Sequence, residues 1–251
     1  MNIALLHLDL ANGPRARNVA KITAAASRAA DAGAEWIVTP ETALQGYFFA
    51  DGIADPTVDT EPGADLLPLL DVVRARKLSL FLGCADRDAE TGLPHNSLVA
   101  FGPDGGVIGR HRKLVAHGGA ESWSKAGSTR RPIPCCGLSV GAMVCADIWF
   151  PENPAALYAA GAEVLTLSAA WPPGPMGPNG KWEAVSAATG LPVFVCNQTG
   201  RHRMDLTAAE SAVIVGGERR MSHSGAEEAV LIFSWSRDGG LDGDDFLRLP
   251  V

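Results

Sequence analysis

The chain has 251 residues, 47% hydrophobic and 20% charged, with a formal net charge of −7. That length suits one large α/β domain or two small ones, and the apolar content supports a sizeable core rather than disorder. The acidic balance, with no Lys/Arg cluster, argues against a nucleic-acid partner, and no apolar run of about 18 residues is present to make a transmembrane helix.

The N-terminal run MNIALLHLDL reads as a buried strand over residues 2–9. It lacks the charged start and small-residue cleavage site of a signal peptide. Pro14 to Ala32 is an Ala-rich helix with Gly33 as its C-cap. Trp36 to Thr39 is a second strand, ending at Pro40-Glu41. Residues 48–63 are loop-like. In Asp65 to Lys77, Leu66, Leu69, Leu70 and Val73 recur at helical spacing. Leu78 to Cys84 is a strand, and Asn96 to Phe101 and Val107 to Arg112 form a hairpin across GPDGG.

Residues 114–131 read as irregular, and two strands then flank Cys136-Gly137. The second leads into GAMVCADIWFPE, residues 141–152, where an apolar strand breaks at Asp147 and Pro151 opens a helix. Cys145 therefore sits at a strand end, where open α/β folds keep their ligands. Backbone N–H groups and a helix N-terminus there would favour thiolate over thiol. A strand at Glu163 to Ser168 follows. The segment WPPGPMGPNGKW, residues 171–182, holds four Pro and three Gly and reads as a functional loop or lid. A short helix leads to a strand at Pro192 to Asn197, and Ser211 to Val215, Arg220 to His223 and Ala229 to Trp235 are the final strands. Early strand–helix alternation with later hairpins predicts a mixed sheet, or two packed sheets with helices outside.

Three polar residues lie just past apolar strands: Glu41 in TPETALQGY, Lys113 in GRHRKL and Cys145 in VCADIWFPE. Singly, each has a plainer explanation: a helix cap, a solvated hairpin end and a core thiol. Together they supply a general base, a cation for a developing oxyanion and a nucleophile, the set that amide or nitrile hydrolysis needs. Five cysteines (84, 135, 136, 145, 196) without CxxC spacing fit free thiols in a reducing cytoplasm. A zinc site from Cys135, Cys136 and His is set aside, because adjacent Cys on one strand point to opposite faces.

These three blocks resemble the PE, RK and C-x-D-x-x-F-P-E signatures of the nitrilase superfamily of carbon–nitrogen hydrolases, in the same order. The resemblance extends to Gly119-Ala120-Glu121 before Trp123 and Gly127, to Trp171-Pro172, Trp182, Asn197-Gln198-Thr199-Gly200 and Ser211. It implies a single carbon–nitrogen hydrolase domain over residues 1–251, folded as a four-layer α-β-β-α sandwich and assembled as a homodimer or higher homo-oligomer; with the free cysteines, a cytoplasmic location is expected. It implies that Cys145 attacks the substrate carbon to form a thioester and that Glu41 moves the protons. Lys113 and the Ala146 N–H would hold the oxyanion, and Glu121 would be the fourth site residue. Tyr47, Ala146, Asp147, Trp149 and Trp171 are the candidate substrate-binding residues. No metal or organic cofactor is required.

Ala146-Asp147 after the Cys resembles the amidase and carbamoylase branches rather than nitrilases with Trp-Glu, and implies a small amide or carbamoyl substrate. Trp149 stands where many omega-amidase-like members carry Arg. An indole cannot make the bidentate pair with a carboxylate that Arg makes. A dicarboxylic acid monoamide is thereby disfavoured, unless Arg130, Arg131, Arg201 or Arg203 serves. Acyl transfer from the same thioester, nitrile hydrolysis and a catalytically silent binding protein are the alternatives.

Overall fold

A computed structural model describes residues 1–53, 55–116, 118–238 and 240–251. In chain order its elements are β1 (Asn2–His7), α1 (Arg15–Asp31), β2 (Trp36–Val38), α2 (Leu67–Arg76), β3 (Ser79–Arg87), β4 (Pro94–Phe101) and β5 (Val107–Arg112). There follow β6 (Ile133–Cys135), β7 (Leu138–Val144), α3 (Glu152–Ala159), β8 (Val164–Ala169), α4 (Lys181–Thr189), β9 (Val193–Asn197), β10 (Ser211–Val215), β11 (Glu218–His223), β12 (Ala229–Ser236) and β13 (Gly240–Pro250).

Alternation along the strands assembles the layers. In β1, Ile3 and Leu5 face the core between the sheets, while Ala4 and Leu6 face the helices. Strand β2 divides likewise, with Trp36 and Val38 on one side and Ile37 on the other. The first sheet runs β13-β12-β1-β2-β3-β4-β5 and the second β11-β10-β9-β8-β7-β6. On the outer face of the first, α1 lays down Val19, Ile22, Ala25, Ala26 and Ala29 at helical spacing, and α2 adds Leu69, Leu70 and Val73. Helices α3 and α4 bury Leu157, Trp182 and Val185 on the second sheet, completing the four-layer α-β-β-α sandwich. Rings interlock between the sheets: Trp36 meets Phe81 at 5.2 Å and Phe194 at 6.0 Å, and Phe194 meets Phe233 at 5.0 Å.

Within the first sheet β1, β2 and β3 are parallel, and two antiparallel steps through β4 return β5 to the same direction. In the second sheet β7, β8 and β9 are parallel. The ends of β2, β5, β7 and β8 meet at one edge of the sandwich, where the amide N–H of Glu41 donates to Ala169 O at 3.4 Å.

Three sequence expectations are corrected here. No strand is expected after Trp235, yet β13 pairs along β12. Its sequence, GLDGDDFLRLP, hides it: it is an edge strand with Phe246 buried and its Asp residues in solvent, a composition that discourages further pairing. The irregular stretch from Trp171 ends at Gly180, because Lys181 and Trp182 begin α4. The turn expected between Cys145 and the helix opened by Pro151 is present, as a 3-10 element over Cys145–Trp149 before α3. Finally, Cys135 and Cys136 do not point apart. Cys136 turns the corner between β6 and β7 at φ +50°, which brings the two sulfurs to 3.7 Å. Among the described residues no cluster of three or more His, Cys, Asp or Glu could hold a metal ion.

Candidate active site

Strand β7 ends in extended backbone at Val144, and Cys145 then takes φ +46°, a left-handed conformation that non-glycine residues rarely adopt. The buried Asp147 holds this turn. Its carboxylate accepts the N–H of Val144 at 3.0 Å, the N–H of Leu114 at 2.8 Å and the N–H of Val115 at 3.3 Å, and pairs with His111 Nε2 at 2.8 Å. One side chain thus ties the Cys145 turn on the second sheet to the Lys113–Leu114 turn on the first. Asp147, expected among the substrate-binding residues, is fully buried and lines no part of the cavity. It works as a brace, because its oxygens are occupied by backbone amides and a His.

Lys113 follows β5 directly, and its ammonium is 2% exposed. It donates to Glu41 Oε1 at 2.7 Å and to both oxygens of Glu121 at 2.7 Å. Asn96, at the start of β4, bridges the same two carboxylates, donating to Glu41 Oε1 at 2.8 Å and Glu121 Oε2 at 3.1 Å. Tyr47 donates its hydroxyl to Glu121 Oε1 at 2.8 Å, and the N–H of Ala170 reaches Glu41 Oε2 at 3.0 Å. Glu41 and Glu121 are almost fully buried, so each charge depends on this network.

The electrostatics follow from burial and mutual proximity. Burial opposes the charge on Lys113, but Glu41, Cys145 and Glu121 outweigh it and hold the ammonium above its ordinary range. Burial raises the pKa of Glu41, Lys113 opposes that rise, and Glu121 adds to it. Burial and then the Glu41 charge push the Cys145 thiol well up. Both act against the thiolate that a strand end and helix N-terminus predict. The α-helix starts only at Glu152, after a 3-10 turn that begins at Cys145, and two carboxylates lie nearby. A nucleophile in that state needs a base, and the neighbouring carboxylate with the raised pKa is suited to be one.

Above the sulfur opens a cavity of about 640 Å3. Cys145, Ala146, Glu121 and Tyr47 form its floor; Trp149, Phe150, Met204 and the 171–177 loop form its walls. Trp171 is pinned by Asn197, which accepts its N–H at 2.8 Å and donates to its C=O at 2.9 Å. The Trp171 indole in turn donates to Met176 O at 2.7 Å, holding the Pro-rich loop. Of the arginines considered as substrate ligands, none lines the cavity: Arg130 donates to Asn153, and Arg201 and Arg203 pair with Asp205 and Asp51.

Sequence reasoning missed three parts of this site. Asn96 lies between His95 and Ser97 at the polar start of β4 and comes out fully buried. Gly83 lies inside β3, and a Cβ there would stand 2.0 Å from Pro40 O and 3.1 Å from Glu41 Cα. A lone glycine in an apolar strand is the signal for such a close approach. The Ala170 N–H is a backbone donor and leaves no trace in residue identity.

A four-layer sandwich with Glu, Lys and Cys gathered at the ends of its strands has the architecture of the nitrilase superfamily. The chain belongs to the carbon–nitrogen hydrolase family, whose signature it matches over residues 2–232. It is 32% identical over 171 residues to an (R)-stereoselective amidase from Pseudomonas sp., a match covering 67% of this chain and 60% of that protein. With a citrullinase from Francisella tularensis subsp. tularensis it shares 25% identity over 265 residues, covering 98% of this chain and 87% of the relative. In fold it resembles the crystal structure of an amidase from Nesterenkonia sp., with a TM-score of 0.75 and 21% identity, covering 98% and 91% of the two chains.

Proposed function

We propose that this protein is an amidase that hydrolyses a small carboxamide through a Cys145 thioester. The observation that carries the reading is the Lys113 ammonium held between Glu41 and Glu121 beside Cys145 at the floor of the cavity. Glu41 takes the thiol proton as sulfur attacks the carbonyl carbon. The oxyanion forms against Lys113 and the Ala146 N–H. The proton moves within the cluster as the oxyanion appears, so the net charge of the buried site does not change, which keeps the step inexpensive in a low-dielectric setting. Collapse expels the amine, protonated by Glu41. The same carboxylate then activates water to cleave the thioester and release the acid. Glu121, with Tyr47 and Asn96, fixes Lys113 rather than moving protons.

In this reading residues 1–251 act as one domain, in the cytoplasm, as a homodimer or higher homo-oligomer. The free cysteines fit a reducing compartment. Exposed Phe150 and Tyr158, at either end of α3, offer apolar surface for self-association. Among the described residues no helix is long and apolar enough to cross a membrane.

The test is ammonia release from a panel of amides and ureido compounds by wild type and Cys145→Ala, with mass spectrometry of the acylated protein under single turnover. Release without an adduct on Cys145, or release retained in Cys145→Ala, would sink the reading.

A further inference from the structure

The tetrahedral carbon formed at Cys145 carries four groups: sulfur, the oxyanion, the departing nitrogen and the acyl substituent. The directions of the middle two are set by chemistry. The oxyanion must face Lys113, and the nitrogen must face Glu41 to receive its proton. That side is packed: Glu41, Lys113, Glu121 and Asn96 are each no more than 2% exposed, and their polar atoms engage one another. An unsubstituted NH2 group is the leaving group that disturbs this packing least. The acyl substituent is left to point into the cavity, whose walls above the floor are Trp149, Phe150, Trp171, Pro173, Met176 and Met204. Among the described lining residues there is no Lys, Arg or His. The ionisable groups that do line it, Tyr47, Glu121 and Cys145, belong to the floor.

These walls are braced before any ligand arrives. Trp149 and Trp171 approach to 6.1 Å at 40°, Trp171 meets Trp182 at 6.3 Å, and the Lys181 ammonium lies 5.4 Å from the Trp149 ring centroid. The volume of about 640 Å3 is in the range that holds a ring-bearing ligand and far exceeds what an acetyl group fills. A substrate carboxylate or ammonium would lose its water there against indole, proline and thioether, with no counter-charge among the described lining residues.

We infer that the substrate is a primary carboxamide whose acyl group is bulky, uncharged and apolar, an arylalkyl group being the best fit, with the tryptophan-walled cavity as its binding site and ammonia as the leaving group. This rests on the amidase reading of the same site and narrows it. It separates this chain from amides that carry a charged end, such as succinamic acid or glutamine.

The experiment measures kcat/KM of wild type for 3-phenylpropanamide, acetamide and succinamic acid, and the affinity of Cys145→Ala for the same three by calorimetry. Filling the cavity with an apolar group should raise kcat/KM for 3-phenylpropanamide at least about tenfold over each of the other two, since even one extra methylene in such a pocket is worth about 10-fold or more. Cys145→Ala should bind 3-phenylpropanamide in preference to succinamic acid. Efficient ammonia release with succinamic acid or acetamide as the better substrate would overturn the inference and leave the amidase reading standing. No release from any amide, with the same binding preference in Cys145→Ala, would support the apolar ligand class while removing the amidase reading. Equal binding of the charged and apolar amides would overturn the inference regardless of turnover.

Discussion

Lys113→Met removes the ammonium that holds two buried carboxylates together and leaves their shape largely filled. Glu41 and Glu121 would then lie side by side with Asn96, Tyr47 and the Ala170 N–H as neutral donors. Removing one partner of a buried ion pair costs about 3–5 kcal/mol, a large share of the roughly 5–15 kcal/mol that holds a domain folded. The chain can reduce that cost by binding a proton on one carboxylate, which raises its folded-state pKa above the unfolded value. A group so raised binds more protons folded than unfolded, so the variant loses stability as pH rises through the raised pKa. The deficit against wild type should therefore be small near pH 5 and approach its full value by pH 8. Urea unfolding at both values, followed by tryptophan fluorescence, reads this directly. Glu121→Gln in the same background should recover much of the loss at pH 8. Turnover should fall at least the roughly 10²–10³ typical of losing one oxyanion donor, at both pH values. A variant as stable as wild type at pH 8, or one that keeps near-normal kcat/KM, would refute the charge assignment of the cluster.

Gly83→Ala should lower kcat/KM by more than tenfold with no contact to substrate, because its methyl displaces the Pro40–Glu41 backbone; a crystal structure of the variant should show Glu41 moved. Asp147→Ala should uncouple the Cys145 and Lys113 turns, with a loss of about 2 kcal/mol or more from the unpaired buried amides and slower Cys145 alkylation by iodoacetamide. Glu41 must be ionised to act as base and its pKa is raised, so kcat/KM should decline on acidification at a pH above the ordinary glutamate value of 4.5; on the alkaline side the raised pKa of Lys113 leaves its charge intact. His7 is pushed down to about 4 by burial and then by His223, so the unfolded chain binds the extra proton between about pH 6.5 and 4. Stability should fall as pH drops through that window, by about 3 kcal/mol at its foot, and urea midpoints of His7→Gln should decline less over the same range.

Local pattern was enough to read most elements. The helical spacing after Pro14, the hairpin across GPDGG and the apolar run that ends at Cys145 are statements about neighbours in the chain, and local chemistry sets them. The same holds for the candidate residues Glu41, Lys113 and Cys145, each placed at a strand end by the turn that follows it. What neighbours cannot specify is which strand ends meet. That Glu41, Lys113 and Glu121 share hydrogen bonds at 2.7 Å depends on β2 and β5 of the first sheet ending at one edge, and the packing of the second sheet then brings Cys145 to them. The same holds for the electrostatics of Cys145: burial and two carboxylates distant in sequence raise its pKa, whereas the sequence displays only the strand end and the proline. Asp147 follows the nucleophile by two residues and looks like part of the binding site, but the fold aims it inward at the Val144 N–H of its own turn and at His111, Leu114 and Val115 at the end of β5. Strand β13 was illegible because an edge strand with one buried ring needs a neighbour, not a pattern, to form. Residue types and order determined the chemistry available to this protein, while long-range packing, through burial and charge proximity, decided the ionisation of those groups and the apolar walls that surround the nucleophile.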